Sequence, residues 1–249
     1  MKLRPFAVLG LVRELRTGAG DRRPLAVAGA PALVPLLARE LRGGGDPSAV
    51  VEGGDPRNVA ALVWVGPPDE DALRAASRAG TPVVAVTEAK RVPYVLDTRV
   101  VRVRPGEGFR VDAIARAVAS ALGEEGTALA ARLPVVRHAV VDELIRSFSR
   151  KNGIVGATVF LPGVDMPVLT LNQIRLVLRI ALAYGESVNA SRAAELAGVV
   201  GAGFGLRTVA REAVGAVPVA GWAVKGAIAY TGTRAIGEAA RRYFESRTT

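Results

Sequence analysis

Cysteine is absent from the 249 residues, which excludes a disulfide framework, a thiol nucleophile and a thiolate metal site and suits a reducing compartment. Histidine is almost as scarce. His138 is the single one, so it cannot build a histidine-rich zinc site, and its helical apolar neighbours Val135, Val136, Ala139 and Val140 assign it a structural or surface role. Aromatic residues make up 5% of the chain and lysine only four of its 33 basic residues. That leaves little from which to build stacking platforms for single-stranded nucleic acid. Long apolar runs are missing as well: the uncharged candidates 196–206 and 213–224 in the C-terminal half hold 11 and 12 residues. At about 1.5 Å per residue they reach roughly 16 to 18 Å, near half of the ~30 Å hydrocarbon layer.

What is present is a chain long enough for two domains of about 100 to 150 residues each, with 50% hydrophobic residues to fill both cores. The net charge of +10 draws attention to anionic partners. Residues 1–124 carry 18 basic and 14 acidic side chains and residues 125–249 carry 15 and 9, so the excess divides into +4 and +6 with no dominant block. Specific nucleic-acid binding is therefore not expected, and loose attraction to an anionic membrane surface is preferred. The N-terminal run 6–12 is at the short limit for a signal peptide, and Arg13, Glu14 and Arg16 follow it where small residues would precede cleavage. Residues 1–20 instead predict a short amphipathic segment and linker, with Leu9, Val12 and Leu15 at helical spacing, packing on the other domain or touching a membrane.

From Pro24 onward strands and helices alternate. Apolar runs at 25–29, 59–65, 81–87 and 99–104, with a weak edge strand at 49–52, are separated by helical patterns at 31–41, 67–79 and 108–122. Such alternation predicts βαβ units and a small, mostly parallel three-layer α/β domain over 21–123. Ligands would sit at the carboxyl ends of its strands. After the first strand a phosphate-binding P-loop requires two glycines, a lysine and a hydroxyl, yet the chain reads Gly29-Ala30-Pro31-Ala32-Leu33. Only backbone amides at Gly29, Ala30 and Ala32 remain as an anion-site candidate, and Pro31 removes one of the donors. The dinucleotide fingerprint is missing too. Where a guanine-reading Asn-Lys-x-Asp would follow the 81–87 strand, the chain has Thr87-Glu88-Ala89-Lys90. Asp69-Glu70-Asp71 could hold magnesium, but at the start of a helix they are better read as cap and dipole charges.

A break at Gly123-Glu124-Glu125-Gly126 opens a region, 124–249, that reads as a compact all-α domain. One apolar stripe (Val136, Val140, Leu144, Phe148) ends at Asn152-Gly153, a short apolar helix covers 154–161, and a further helix covers 168–184 with Asn172, Arg175 and Arg179 on one side. Gly201 and Gly205 have the spacing that lets helices approach closely. Asp165, between Pro162 and Pro167, is expected to cap the next helix or to pair with an arginine, since a buried charge needs a partner.

Leu161-Pro162-Gly163-Val164-Asp165, Leu171-Asn172-Gln173-Ile174-Arg175, Ala181-Leu182-Ala183-Tyr184-Gly185, Arg207, Pro218-Val219-Ala220-Gly221, Thr231-Gly232-Thr233, Gly237 and Tyr243-Phe244 together resemble the YcjF-type helical domain of unknown function. That domain often follows a bacterial Era-like GTPase domain. The resemblance covers roughly 125–245 and implies that the α/β domain is a degenerate, nucleotide-free relative of the GTPase. Some members are described as membrane proteins. On this reading Pro162, Asp165, Arg175, Arg179, Tyr184, Gly185, Arg207, Pro218 and Gly221 are the structural or interaction residues.

The resulting expectation is a non-enzymatic scaffold or interaction protein with no catalytic set, no metal and no cofactor. It would be cytoplasmic or peripheral on the inner face of the cell membrane, and its partner would be another protein, a second copy of itself or an anionic lipid surface. A nucleotide-responsive regulator binding phosphate through backbone amides, and an integral membrane component, are the alternatives.

Overall fold

The computed structural model describes residues 5–104, 106–158, 165–187 and 221–248. The chain divides into two compact units, one formed by residues 20–143 and the other by residues 1–19 together with 144–249.

The first unit is an α/β domain. Strands β1 (Leu25–Gly29), β2 (Val50–Glu52), β3 (Ala61–Val65), β4 (Val83–Thr87) and β5 (Val100–Arg102) form one sheet in the order β2-β1-β3-β4-β5. Every pairing in it is parallel. In a parallel pair facing residues share a side of the sheet, so Val27, Val63 and Val84 align on one face and Ala26, Leu62 and Val83 on the other. Both faces are buried, which is why the strands read as unbroken apolar runs instead of alternating ones. Helix α3 (Glu70–Arg78) places Leu73 and Ala76 against Ala26, Leu62 and Ala85, joined by Val92 from the chain after β4. Helices α2 (Val34–Arg42) and α4 (Val111–Leu122) pack on β1 and β2 and on β3 to β5 respectively.

Two more helices continue the chain, α5 (Gly126–Arg132) and α6 (Pro134–Thr158). The expected boundary at 123 falls before them, whereas the two units divide inside α6. A physical reason is visible in Arg132. Its Nε donates to Asp46 Oδ2 (3.0 Å), its Nη2 to Ser48 Oγ (3.1 Å) and its Nη1 to the Arg22 carbonyl (2.9 Å), while Asp46 N donates to the Arg132 carbonyl (2.9 Å). These bonds tie α5 to the loop before β2. The Ser48 hydroxyl and then the Arg132 guanidinium hold the Asp46 carboxyl below its ordinary 3.8, at about 2.

The second unit is helical. Helix α1 (Pro5–Ala19) packs Leu11 and Leu15 against Ile174, Leu178 and Leu182 of α7 (Asp165–Ala183). Of the two roles expected for the N-terminal segment, packing within the protein is the one seen. A last helix, α8 (Gly221–Thr248), lies against α7. The sequence predicts a helix end at Asn152-Gly153, but α6 runs through it to Thr158 without interruption. The glycines there allow close approach to α8: a Cβ at Gly156 would stand 2.8 Å from Ala229 Cβ, and one at Gly226 would stand 2.9 Å from the Gly153 carbonyl oxygen. Among the described residues no helix is long and apolar enough to cross a membrane.

Candidate functional site

In this sheet the order in which the strands are laid down reverses between β1 and β3, and the crevice outside the carboxyl ends of those strands is where doubly wound sheets bind ligands. The loops that would form it lie against each other. Gly29 ends β1 with φ +125°, and a Cβ there would be 2.1 Å from the Val65 carbonyl oxygen. Ala30 N donates to that same carbonyl at 2.8 Å. The Ala30 methyl faces Gly66, where an added Cβ would come within 2.8 Å of it. The Ala30 carbonyl in turn accepts from Leu33 N (2.9 Å) and Val34 N (3.1 Å).

Of the candidate anion amides, that of Ala30 therefore donates to the protein itself, as does the neighbouring Leu33 amide, and Pro31 has none. A P-loop turns such amides toward phosphate. Here the Ala30 amide turns toward β3, which draws the β1 loop onto the neighbouring strand. Helix α2 begins beyond it with Leu33 at the N-cap and no side-chain cap.

The other strand ends carry turn chemistry. Asp69 Oδ1 accepts from Ala72 N (3.0 Å) as the N-cap of α3, while Glu70 and Asp71 pair with Arg74 at 2.6 and 2.9 Å. The expected cap is thus formed by Asp69. Among the described residues no group of three or more His, Cys, Asp and Glu side chains could hold a metal ion. At the end of β4, Thr87 is buried and its Oγ1 accepts from Ala89 N (3.2 Å). The Lys90 carbonyl that follows accepts from Arg102 Nη2 (2.6 Å).

At the opposite, amino ends of β1, β3 and β4 lies a cleft of about 280 Å³ lined by Arg23, Arg57, Thr81 and Glu125 among others. Arg23 is held by Asp21 at 2.8 Å and approaches Glu125 at 3.9 Å. The hydrogen bond from Arg23 lowers the Asp21 pKa. Gly80 and Leu122, at the carboxyl ends of α3 and α4, also line this cleft. Guanidinium groups there answer the partial negative charge of two helix termini, which gives the arginines a structural reason to be present.

In the helical unit the residues expected to shape an interaction surface fall into three places. Arg175 Nη2 donates to Glu14 Oε2 of α1 at 2.9 Å, and Arg179 Nη2 lies 3.8 Å from Glu14 Oε1. Both arginines therefore meet the α1 segment that precedes the α/β domain in sequence. Tyr184 donates to Glu245 Oε1 (3.1 Å) and stacks on Phe244 with centroids 6.1 Å apart, which ties the end of α7 to α8. Gly185, with φ +80°, closes α7. Its amide donates to the Leu182 carbonyl, and Glu186 N donates to the Ala181 carbonyl, the paired bonds of a Schellman cap. Gly221 is the first residue of α8 and Asp165 the first of α7. Pro162, Arg207, Pro218, the Gly201 and Gly205 pair and the side chain of Asp165 lie outside the described residues.

Sequence reasoning did not single out the polar cluster at the centre of this unit. Thr233 Oγ1 of α8 accepts from Asn152 Nδ2 of α6 (2.9 Å) and from Gln173 Nε2 of α7 (3.1 Å), and donates to the Ala229 carbonyl (2.8 Å). Asn172 Nδ2 adds a bond to Asn152 Oδ1 (2.8 Å). Asn152, Gln173 and Thr233 are fully or almost fully buried. One threonine hydroxyl thus joins three helices. The available signal was a set of amides within otherwise apolar helices, but Asn152 beside Gly153 imitates a helix stop.

Comparison of the chain with family models, curated proteins and solved structures finds no match.

Proposed function

We propose that this chain is a non-enzymatic interaction protein whose α/β unit presents surfaces instead of holding a ligand. The observation that carries this reading is the hydrogen bond from Ala30 N to the Val65 carbonyl. It engages a central amide of the candidate anion set and closes the crevice at the switch point with the Ala30 methyl. A degenerate GTPase-like domain followed by a YcjF-type helical domain fits the same facts. The positions that would bind phosphate and read guanine, 29–33 and 87–90, do follow β1 and β4, but their residues serve turns.

Calorimetric and thermal-shift titration of the full chain with GTP, ATP and NAD at millimolar concentration tests the proposal. The expected result is no heat and no shift in melting temperature. Saturable binding that Ala30→Asp weakens by repelling phosphate would establish the nucleotide-responsive alternative instead.

A further inference from the structure

Helix α1 belongs to the helical unit in space but not in sequence. Residues 20–143, which follow it, form the α/β unit, so no short loop joins α1 to the α7 face that it covers. That face is an apolar stripe. Ile174, Leu178 and Leu182 stand one helical turn apart on α7 and receive Leu11 and Leu15, themselves one turn apart on α1. Leu171 and Ala19 pack against the same cluster.

Beside the stripe stand two largely buried arginines. Arg175 Nη2 donates to Glu14 Oε2 at 2.9 Å and Arg179 Nη2 lies 3.8 Å from Glu14 Oε1, so one carboxylate of α1 faces both guanidinium groups. Arg175 Nε is buried and has no acceptor. A charged donor left in this way is costly, so the face carries a bond that α1 does not make.

Two leucines a turn apart on an apolar stripe, with a carboxylate between them set against cations, are the anchors by which an amphipathic helix is recognised in a groove. Here the helix is part of the chain itself. We propose that this α7 face is a docking site for a partner protein's amphipathic helix of pattern Leu-x-x-Glu-Leu, that α1 fills it in cis, and that the partner enters by displacing α1. The seated α1, with Leu11, Glu14 and Leu15, shows the chemistry of the occupant. A tethered helix has the advantage of a high effective concentration, so an incoming helix must offer more than α1 does. A second carboxylate for Arg175 Nε is the contact left open to it. The partner then shifts the population from the state with α1 docked to the state with α1 released.

This extends the interaction reading to the helical unit. Nucleotide binding would overturn that reading and leave a helix-docking result standing, whereas failure of helix docking would remove the α7 site without creating a nucleotide site.

A fluorescein-labelled peptide of residues 5–19 stands in for the partner helix. It is titrated into the full chain and into the full-length variant Leu15→Asp, whose own α1 no longer fills the face. The peptide should bind the variant saturably and gain helical dichroism, and should bind the parent about tenfold or more weaker, because α1 competes in cis. Leu15→Asp in the peptide should abolish binding. Glu14→Gln in the peptide should weaken it by up to about fivefold, less so at high salt, and should have no further effect when Arg175→Gln is added to the Leu15→Asp chain. If Leu15→Asp does not fold, Glu14→Lys at its half-exposed position loosens α1 by repulsion from Arg175 and Arg179 and carries the same expectation. No saturable binding to either variant, equal binding to parent and variants, or binding that survives the leucine change in the peptide would overturn the proposal. So would dimerisation of the parent that Leu15→Asp abolishes, which would mark α1 as exchanged between two copies of this chain instead of yielded to a partner.

Discussion

The α/β unit and the helical unit bury polar groups in different ways. In the α/β unit the buried polar residues are threonines whose bonds go to the backbone: Thr81 donates to the Pro56 carbonyl (2.6 Å), Thr127 to the Glu124 carbonyl (2.8 Å), and Thr87 accepts from Ala89 N. Each secures a turn or an element end. In the helical unit the buried side chains of Asn152 and Gln173 bond instead to that of Thr233, which joins α6, α7 and α8. A parallel sheet already has its register fixed by backbone ladders, so polar side chains are free to finish loops. Packed helices have no such ladder, and a side-chain network together with glycine contacts can set their register instead.

The largest way to break this comparison lies in the α/β unit. Gly29→Ala would force a Cβ to within 2.1 Å of the Val65 oxygen at φ +125°. A loss of about 3 kcal/mol or more is expected in denaturant unfolding. The helical unit should answer to its network. Thr233→Val keeps the volume but leaves the Asn152 and Gln173 amides without their acceptor, at an expected cost of about 1 to 3 kcal/mol. Leucine in place of Thr233 would add overpacking to that loss, so the valine variant is the cleaner probe.

A third test uses pH. The Asp46 carboxyl titrates at about 2 when folded, against an ordinary 3.8. A lowered folded-state value stabilises the protein above the unfolded value, and the gain disappears as pH falls through the folded one. Asp46→Asn should therefore be less stable than the parent at pH 5 to 7, with the difference closing between about pH 4 and pH 2. Urea melts at stepped pH would measure it. The smallest effect belongs to the half-exposed Glu14: Glu14→Gln should cost about 0.2 to 1 kcal/mol, and less at high salt, because the Arg175 pair is partly solvated.

The same contrast explains what could be read from the chain. Strand β1 occupies the residues expected for it, and the parallel sheet follows from unbroken apolar runs whose meaning is local. The cap at Asp69 was legible because a carboxylate three residues before an amide is a near-neighbour relation. The continuation of α6 through Asn152-Gly153 was not. Its causes, Thr233 for Asn152 and the Gly226 to Ala229 stretch for Gly153 and Gly156, are distant in sequence. The bond between Arg132 and Asp46 is distant too, so the break at Gly123–Gly126 looked like the end of the α/β domain although α5 remains tied to it. At the candidate crevice the sequence shows that phosphate-binding residues are missing, but only the structure shows where the Ala30 amide points.

That amide offers the most direct test. Hydrogen exchange of the Ala30 amide, followed by NMR on the full chain, should be slow and should not change on addition of millimolar GTP or ATP, as expected for a donor held by the Val65 carbonyl in the sheet. Fast exchange in the free protein, with protection gained on nucleotide addition, would show an amide available to phosphate and would contradict a closed crevice.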